Sequence, residues 1–139
     1  MTNGILVGAI LVAGFLGTFT DWLFFGVLFH DRYHRYPEVW WPGIRDKAGD
    51  MRAIILSSIM SFLTAAGVVM LCAYTNTSTI MGGLTIAALA WLAGPLVVTV
   101  TNGFWVKLDP MLTVMHSIGH LARMLLAGAA GAVALQLAA

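Results

Sequence analysis

Four long apolar runs constrain this chain more than any other feature: residues 4–29, broken only by Asp21; 51–74, uncharged after Arg52; 79–106; and 110–138, broken only by Arg123. Each exceeds the roughly 20 residues needed to cross a hydrocarbon core about 30 Å thick. The expected fold is all-α: a polytopic integral membrane protein, an antiparallel bundle of four transmembrane helices in one domain spanning residues 1–139. Charge supports this, since only 9% of residues are charged against about 25% in soluble domains. A lipid-facing surface needs no charge.

No Lys or Arg precedes Arg32. The first run therefore lacks the positive n-region of a signal peptide and is read as a retained membrane helix. Asn76-Thr77-Ser78 forms a tight polar turn between the second and third runs, and Lys107-Leu108-Asp109 separates the third from the fourth. Asp109 before Pro110 is a good helix start, an N-cap carboxylate followed by a proline at the first helical position. The one long connection, residues 31–50, holds Pro37, Trp40, Trp41, Pro42 and Gly43. It reads as an interfacial loop with its tryptophans among the headgroups.

Arg32, Arg35, Arg45, Lys47, Arg52 and Lys107 all lie on one side of this topology, with no Lys or Arg on the other. Positive loops stay cytoplasmic, so both termini are expected on the non-cytoplasmic face. Asn76-Thr77-Ser78 matches a glycosylation pattern, but the turn lies too close to the membrane for modification to be expected. Cys72 is the only cysteine, which excludes an intrachain disulfide.

Small residues four apart let membrane helices approach closely. The first run offers Gly4 with Gly8, and Ala9, Ala13 and Gly17. The third offers Ala90 with Gly94; the fourth offers Ala127 with Gly131 and Gly128 with Ala132. The second carries a hydroxyl stripe of Ser57, Ser61 and Thr64. These rows read first as packing within one bundle, with a homo-oligomer interface as the sharper alternative.

All four histidines fall in two i, i+4 pairs, His30 with His34 and His116 with His120. This is the spacing that metal sites on helices use. With Phe29 and Met111 as the boundary, His34 lies about 6 Å outside it, while His116 and His120 lie about 7 and 13 Å inside. Four ligands at such different levels do not make one site. His30 and His116 remain the weak metal candidates, and no cofactor is expected.

Thr113, His116, Ser117, His120 and Arg123 follow 3–4 spacing and form one polar stripe on the fourth helix. Intramembrane ionisable residues are costly and face the bundle or a water-filled cavity. Asp21 is the matching oddity in the first helix. Asp21 and Arg123 lie about 12 and 18 Å inside the boundary, and their side chains lean toward each other along oppositely directed helices. An Asp21–Arg123 pair beside His120 is expected.

No nucleophile elbow, Gly-rich phosphate loop or Glu-x-x-His pair is present, so the reading leans away from an enzyme. The net charge of +1 gives no basic field for nucleic acid. The preferred role is non-enzymatic: a small membrane protein whose partners are the lipid bilayer and itself or another membrane protein. It would pack as a homo-oligomer or as an accessory subunit of a membrane complex. The alternatives are a small transporter or channel-like oligomer using Asp21, His116, His120 and Arg123, and a metal- or haem-binding redox protein.

Three stretches carry a resemblance. Gly14-Phe15-Leu16-Gly17 leads into Asp21-Trp22-Leu23-Phe24-Phe25-Gly26-Val27-Leu28-Phe29. A polar hinge spans residues 102–109. His116-Ser117-Ile118-Gly119-His120-Leu121 precedes a Gly/Ala-rich tail at residues 127–132. Together they resemble a family of small bacterial membrane proteins catalogued as domain of unknown function seventeen-sixty-one. The resemblance implies four helices and a bacterial membrane, and carries no activity; the inner membrane is the expected location.

Overall fold

The computed structural model describes residues 2–39 and 47–139. Trp40, Trp41, Pro42, Gly43 and Arg45, which carry part of the interfacial-loop expectation, lie outside them, as does the His34 side chain. The described chain is helical. Helix α1 (Thr2–Asp21) continues as a wide π turn through Trp22–Leu28, followed by short 3-10 turns at His30–His34 and Pro37–Val39. Then come α2 (Lys47–Tyr74), α3 (Ile80–Trp91), a second π segment at Leu92–Leu96, α4 (Val97–Trp105) and α5 (Pro110–Ala138). Four stretches are long and apolar enough to cross a membrane: Asn3–Leu28, Met51–Tyr74, Ile80–Trp105 and Pro110–Ala138.

The helix ends follow from local chemistry. Asp109 accepts a hydrogen bond from the Met111 N–H at 2.8 Å, with Pro110 at the first position. Thr79 caps α3 by accepting from the Gly82 N–H at 3.2 Å. Helix α2 ends in a Schellman motif: Thr77 N–H donates to the Cys72 carbonyl and Asn76 N–H to the Ala73 carbonyl. Asn76 takes the left-handed conformation this needs, at φ 51°.

Two expectations change. The loop expected over residues 31–50 gives way at Lys47, because α2 starts there and carries the charged residues before Met51 as a helical lead-in. The first and third spans are not regular α-helices. Pro95 sits inside the π segment of the third; proline has no N–H to give the helix ladder, and a local widening absorbs the loss.

Helix α5 is the centre, packing against α1, α2 and α3. Its buried face consists of Leu112, Ser117, Gly119, Met124, Ala127, Gly128, Gly131, Ala132 and Ala134. Small residues dominate because backbones meet here. A Cβ on Gly83 would fall on the Gly128 carbonyl, and one on Gly128 would fall on the Gly83 carbonyl. The closest small-residue contacts of the third span are made by Gly83 and Ala87, both buried; Ala90 also packs on the core, while Gly94 does not. Gly4, Gly8 and Gly94 have nothing within 4 Å of a built Cβ. These positions do not pack within one copy, which sequence alone does not reveal because every face of an apolar helix looks alike.

Along the four spans, the described exterior is largely apolar. Val7, Leu11, Phe15, Phe19, Ile54, Leu63, Leu89 and Val98 are all exposed, a surface a water-soluble monomer does not keep. Hydroxyls on it bond to their own helix: Thr20 to the Leu16 carbonyl, Thr64 to Met60 and Thr85 to Met81. That satisfies them without water.

Candidate functional site

The expected pair is present. Arg123 Nη1 donates to Asp21 Oδ2 at 2.9 Å, and the two side chains are only 14% and 15% exposed. Asp21 ends the regular part of α1, and Arg123 lies midway along α5. Gly17, one turn before Asp21, makes the approach possible: its built Cβ stands 3.4 Å from Arg123 Cβ and 3.7 Å from Ser61 Cβ. Ser61 is the third member, donating its hydroxyl to Asp21 Oδ2 at 2.7 Å. The hydroxyl stripe of α2 is thus not one functional face. Ser57 bonds to the Ile54 carbonyl and Thr64 to that of Met60, leaving Ser61 to cross to another helix.

His116 lies one level nearer the α5 N-terminus. Its Nε2 shares a 2.7 Å hydrogen bond with the Tyr33 hydroxyl, and its ring stacks on Phe25 with centroids 4.3 Å apart. Gly119 leaves room for Phe25, whose ring would stand 3.0 Å from a Cβ there. The His120 ring is 6.2 Å from that of His116, too far for a direct bond. The indole N–H of Trp91 reaches the Ser117 carbonyl at 2.8 Å. Among the described residues, four buried polar atoms have no hydrogen-bond partner: Asp21 Oδ1, Ser117 Oγ, His120 Nδ1 and Arg123 Nε.

A second polar set sits where α5 begins. Asp109, 1% exposed, accepts from Arg35 at 2.8 Å and lies 3.8 Å from Arg32. The Arg35 hydrogen bond, ahead of the helix-end N–H of Met111, holds the Asp109 carboxyl below the usual carboxylate range despite burial. Arg35 is raised in turn, chiefly by that same bond. Lys107 and Glu38 pair at 2.7 Å on the exposed rim, with Lys107 4.8 Å over the Tyr36 ring. Burial, and then the negative charge of Asp21, push the Tyr33 phenol above its ordinary range.

Sequence reasoning singled out Asp21, His116, His120 and Arg123; it named Ser61 and Arg35 without their partners and did not bring Tyr33 or Phe25 into the cluster. Spacing within one helix marks a stripe, but it does not say which residue of a neighbouring turn will meet it. His30 is exposed at the turn after the first span. No group of three His, Cys, Asp or Glu side chains able to hold a metal gathers among the described residues, and none of the histidines is assigned as a ligand.

No curated protein and no solved structure matches the chain. A family model described as "Protein of unknown function (DUF1761)" matches residues 8–131, which include the whole Asp21, His116, His120 and Arg123 cluster, and the chain belongs to that family.

Proposed function

We propose that the chain is a small integral protein of the bacterial inner membrane: four antiparallel transmembrane helices in one domain, with both termini on the non-cytoplasmic face. It acts without catalysis, as a homo-oligomer or as an accessory subunit of a membrane complex. The observation that carries this reading is the Arg123–Asp21 ion pair at 2.9 Å. The interior charges are spent on each other, tying α1 to α5 while the exposed faces stay apolar for lipid or a partner. An antiparallel course for α1 and α5 is supported by contacts that rise along one helix and fall along the other. Gly17 meets Arg123, Phe25 meets Gly119, and Tyr33 meets His116. The positive residues at the Arg35 and Lys107 end support the orientation.

A through-path in a single copy has less support. Polar side chains run from Asp109 inward to Arg123, and beyond that α5 is closed by Gly128 on Gly83 and Gly131 on Cys72 and Val69. Mass spectrometry of protein released from mild detergent tests the proposal. Retention in the membrane pellet through alkaline carbonate, with a multimer or a bound protein partner, is the expected result. A lone chain carrying stoichiometric haem or metal would overturn it.

A further inference from the structure

We propose that His116, His120 and the Asp21–Arg123 pair form a hydrated proton-binding site inside the bundle, reached from the charged end through Tyr33 and closed toward the other end.

Three observations lead there. First, the four unpartnered atoms, Asp21 Oδ1, Ser117 Oγ, His120 Nδ1 and Arg123 Nε, lie on neighbouring turns of α5 and the residue paired to it. A buried polar atom without a partner carries a desolvation cost that water relieves. Between them they offer an acceptor (the carboxylate oxygen), a donor (the guanidinium N–H), and two groups able to do either. That is the mixture a small water cluster needs. Second, the 6.2 Å separation of the His116 and His120 rings suits one bridging water. Third, the Tyr33 hydroxyl on His116 Nε2 joins the ring to the turn that carries Arg32 and Arg35.

The proton step balances without any further reactant. A hydronium ion gives its proton to the Tyr33 oxygen as the Tyr33 hydroxyl proton passes to Nε2 of neutral His116. Water, an intact phenol and an imidazolium remain. The ring nitrogen facing Tyr33 must start unprotonated, which places the imidazole proton on Nδ1. Among the described residues, the ionisable groups facing the histidines are Asp21 from α1, Tyr33 from the following turn, and Arg123 from α5 itself. Helix α2 presents Ser61 and α3 presents Trp91, neither ionisable. Asp21, paired to Arg123 through Oδ2, keeps Oδ1 as a negative oxygen that an imidazolium can face.

The inference rests on the bundle lying in a bilayer. The test is nitrogen NMR of histidine-labelled protein in lipid nanodiscs, with the internal rings assigned by His116→Asn and His120→Asn. At least one ring is expected to titrate reversibly between about pH 5 and 8 and to exchange magnetisation with water. Asp21→Asn should move its midpoint down, and Arg123→Gln should move it up. Tyr33→Phe should slow proton exchange at His116 while leaving the fold intact. Two rings locked in one neutral tautomer across that range, without water contact, would overturn the proposal. Should Asp21→Asn fail to fold, the wild-type titration and water exchange decide alone. Release of the chain by carbonate would instead remove the membrane reading, so the two failures are distinguishable.

Discussion

Asp21 and Arg123, 102 positions apart, meet at 2.9 Å through a carboxylate oxygen that also accepts from Ser61. One oxygen thus binds α1 to both α2 and α5. Removing one partner strands a charge, whereas removing both leaves two neutral amides. In a buried setting the first loss runs to about 3–5 kcal/mol. Asp21→Asn alone is expected to lower folded yield and melting temperature more than the Asp21→Asn, Arg123→Gln double variant. Strictly additive effects in that cycle would show that the pair contributes no coupling.

Gly83 and Gly128 touch backbone to backbone, so side chains there cannot move aside. Gly128→Leu and Gly83→Leu are each expected to abolish a sharp melting transition in detergent, beyond the about 1–3 kcal/mol of ordinary overpacking. Gly17→Leu should also destabilise, by pushing Arg123 and Ser61 away. Gly8→Leu, with open space around it, should melt like the parent; an equal loss at Gly8 would mean that it faces another subunit.

Asp109 joins helix capping to ion pairing. Its folded carboxyl lies below the unfolded value near 3.9. Its stabilisation is therefore complete above that value and is lost as pH falls through the folded one. Asp109→Ala should cost about 1 kcal/mol near neutrality through the lost cap, with the lost Arg35 contact adding to it. Melting curves from pH 7 to 3 should show the gap between Asp109→Asn and the parent closing below about pH 4. A gap independent of pH would assign the effect to packing.

Orientation has a direct reading. Cysteines placed by Thr2→Cys and Thr77→Cys, in a Cys72→Ser background, should react with an impermeant reagent applied to intact cells. Lys47→Cys should not. The reverse pattern would invert the topology.

The spans and the central pair were legible because both rest on strong, local physics: apolar length, and the cost of an unpaired charge in a low-dielectric interior. The π segments at Trp22–Leu28 and Leu92–Leu96 were not, since a change of helical period is invisible where every face is apolar. For the same reason Gly94 was named beside Ala90, while the closer contacts of Gly83 and Ala87 were not. Tyr33 was not tied to the cluster because it belongs to a short turn after the span, whose direction depends on how the π segment ends. The link from Arg35 to Asp109 was hidden likewise, although Asp109 itself was recognised as a cap.

The closed, glycine-packed half of α5 has an electrical consequence. Across a bilayer, voltage falls most steeply where polarisable groups are fewest. The stretch around Gly83, Gly128, Gly131 and Val69 has almost none, while the half between Asp109 and Arg123 is rich in dipoles and ionisable groups. For the bundle proposed to span a bilayer, a larger share of the field is therefore expected to drop beyond Arg123 than between Asp109 and Arg123. A full charge crossing the membrane changes energy by about 2.3 kcal/mol per 100 mV. A proton reaching the proposed site at His116 from the Arg35 end is expected to cross the smaller share of that, so its binding should depend only weakly on voltage.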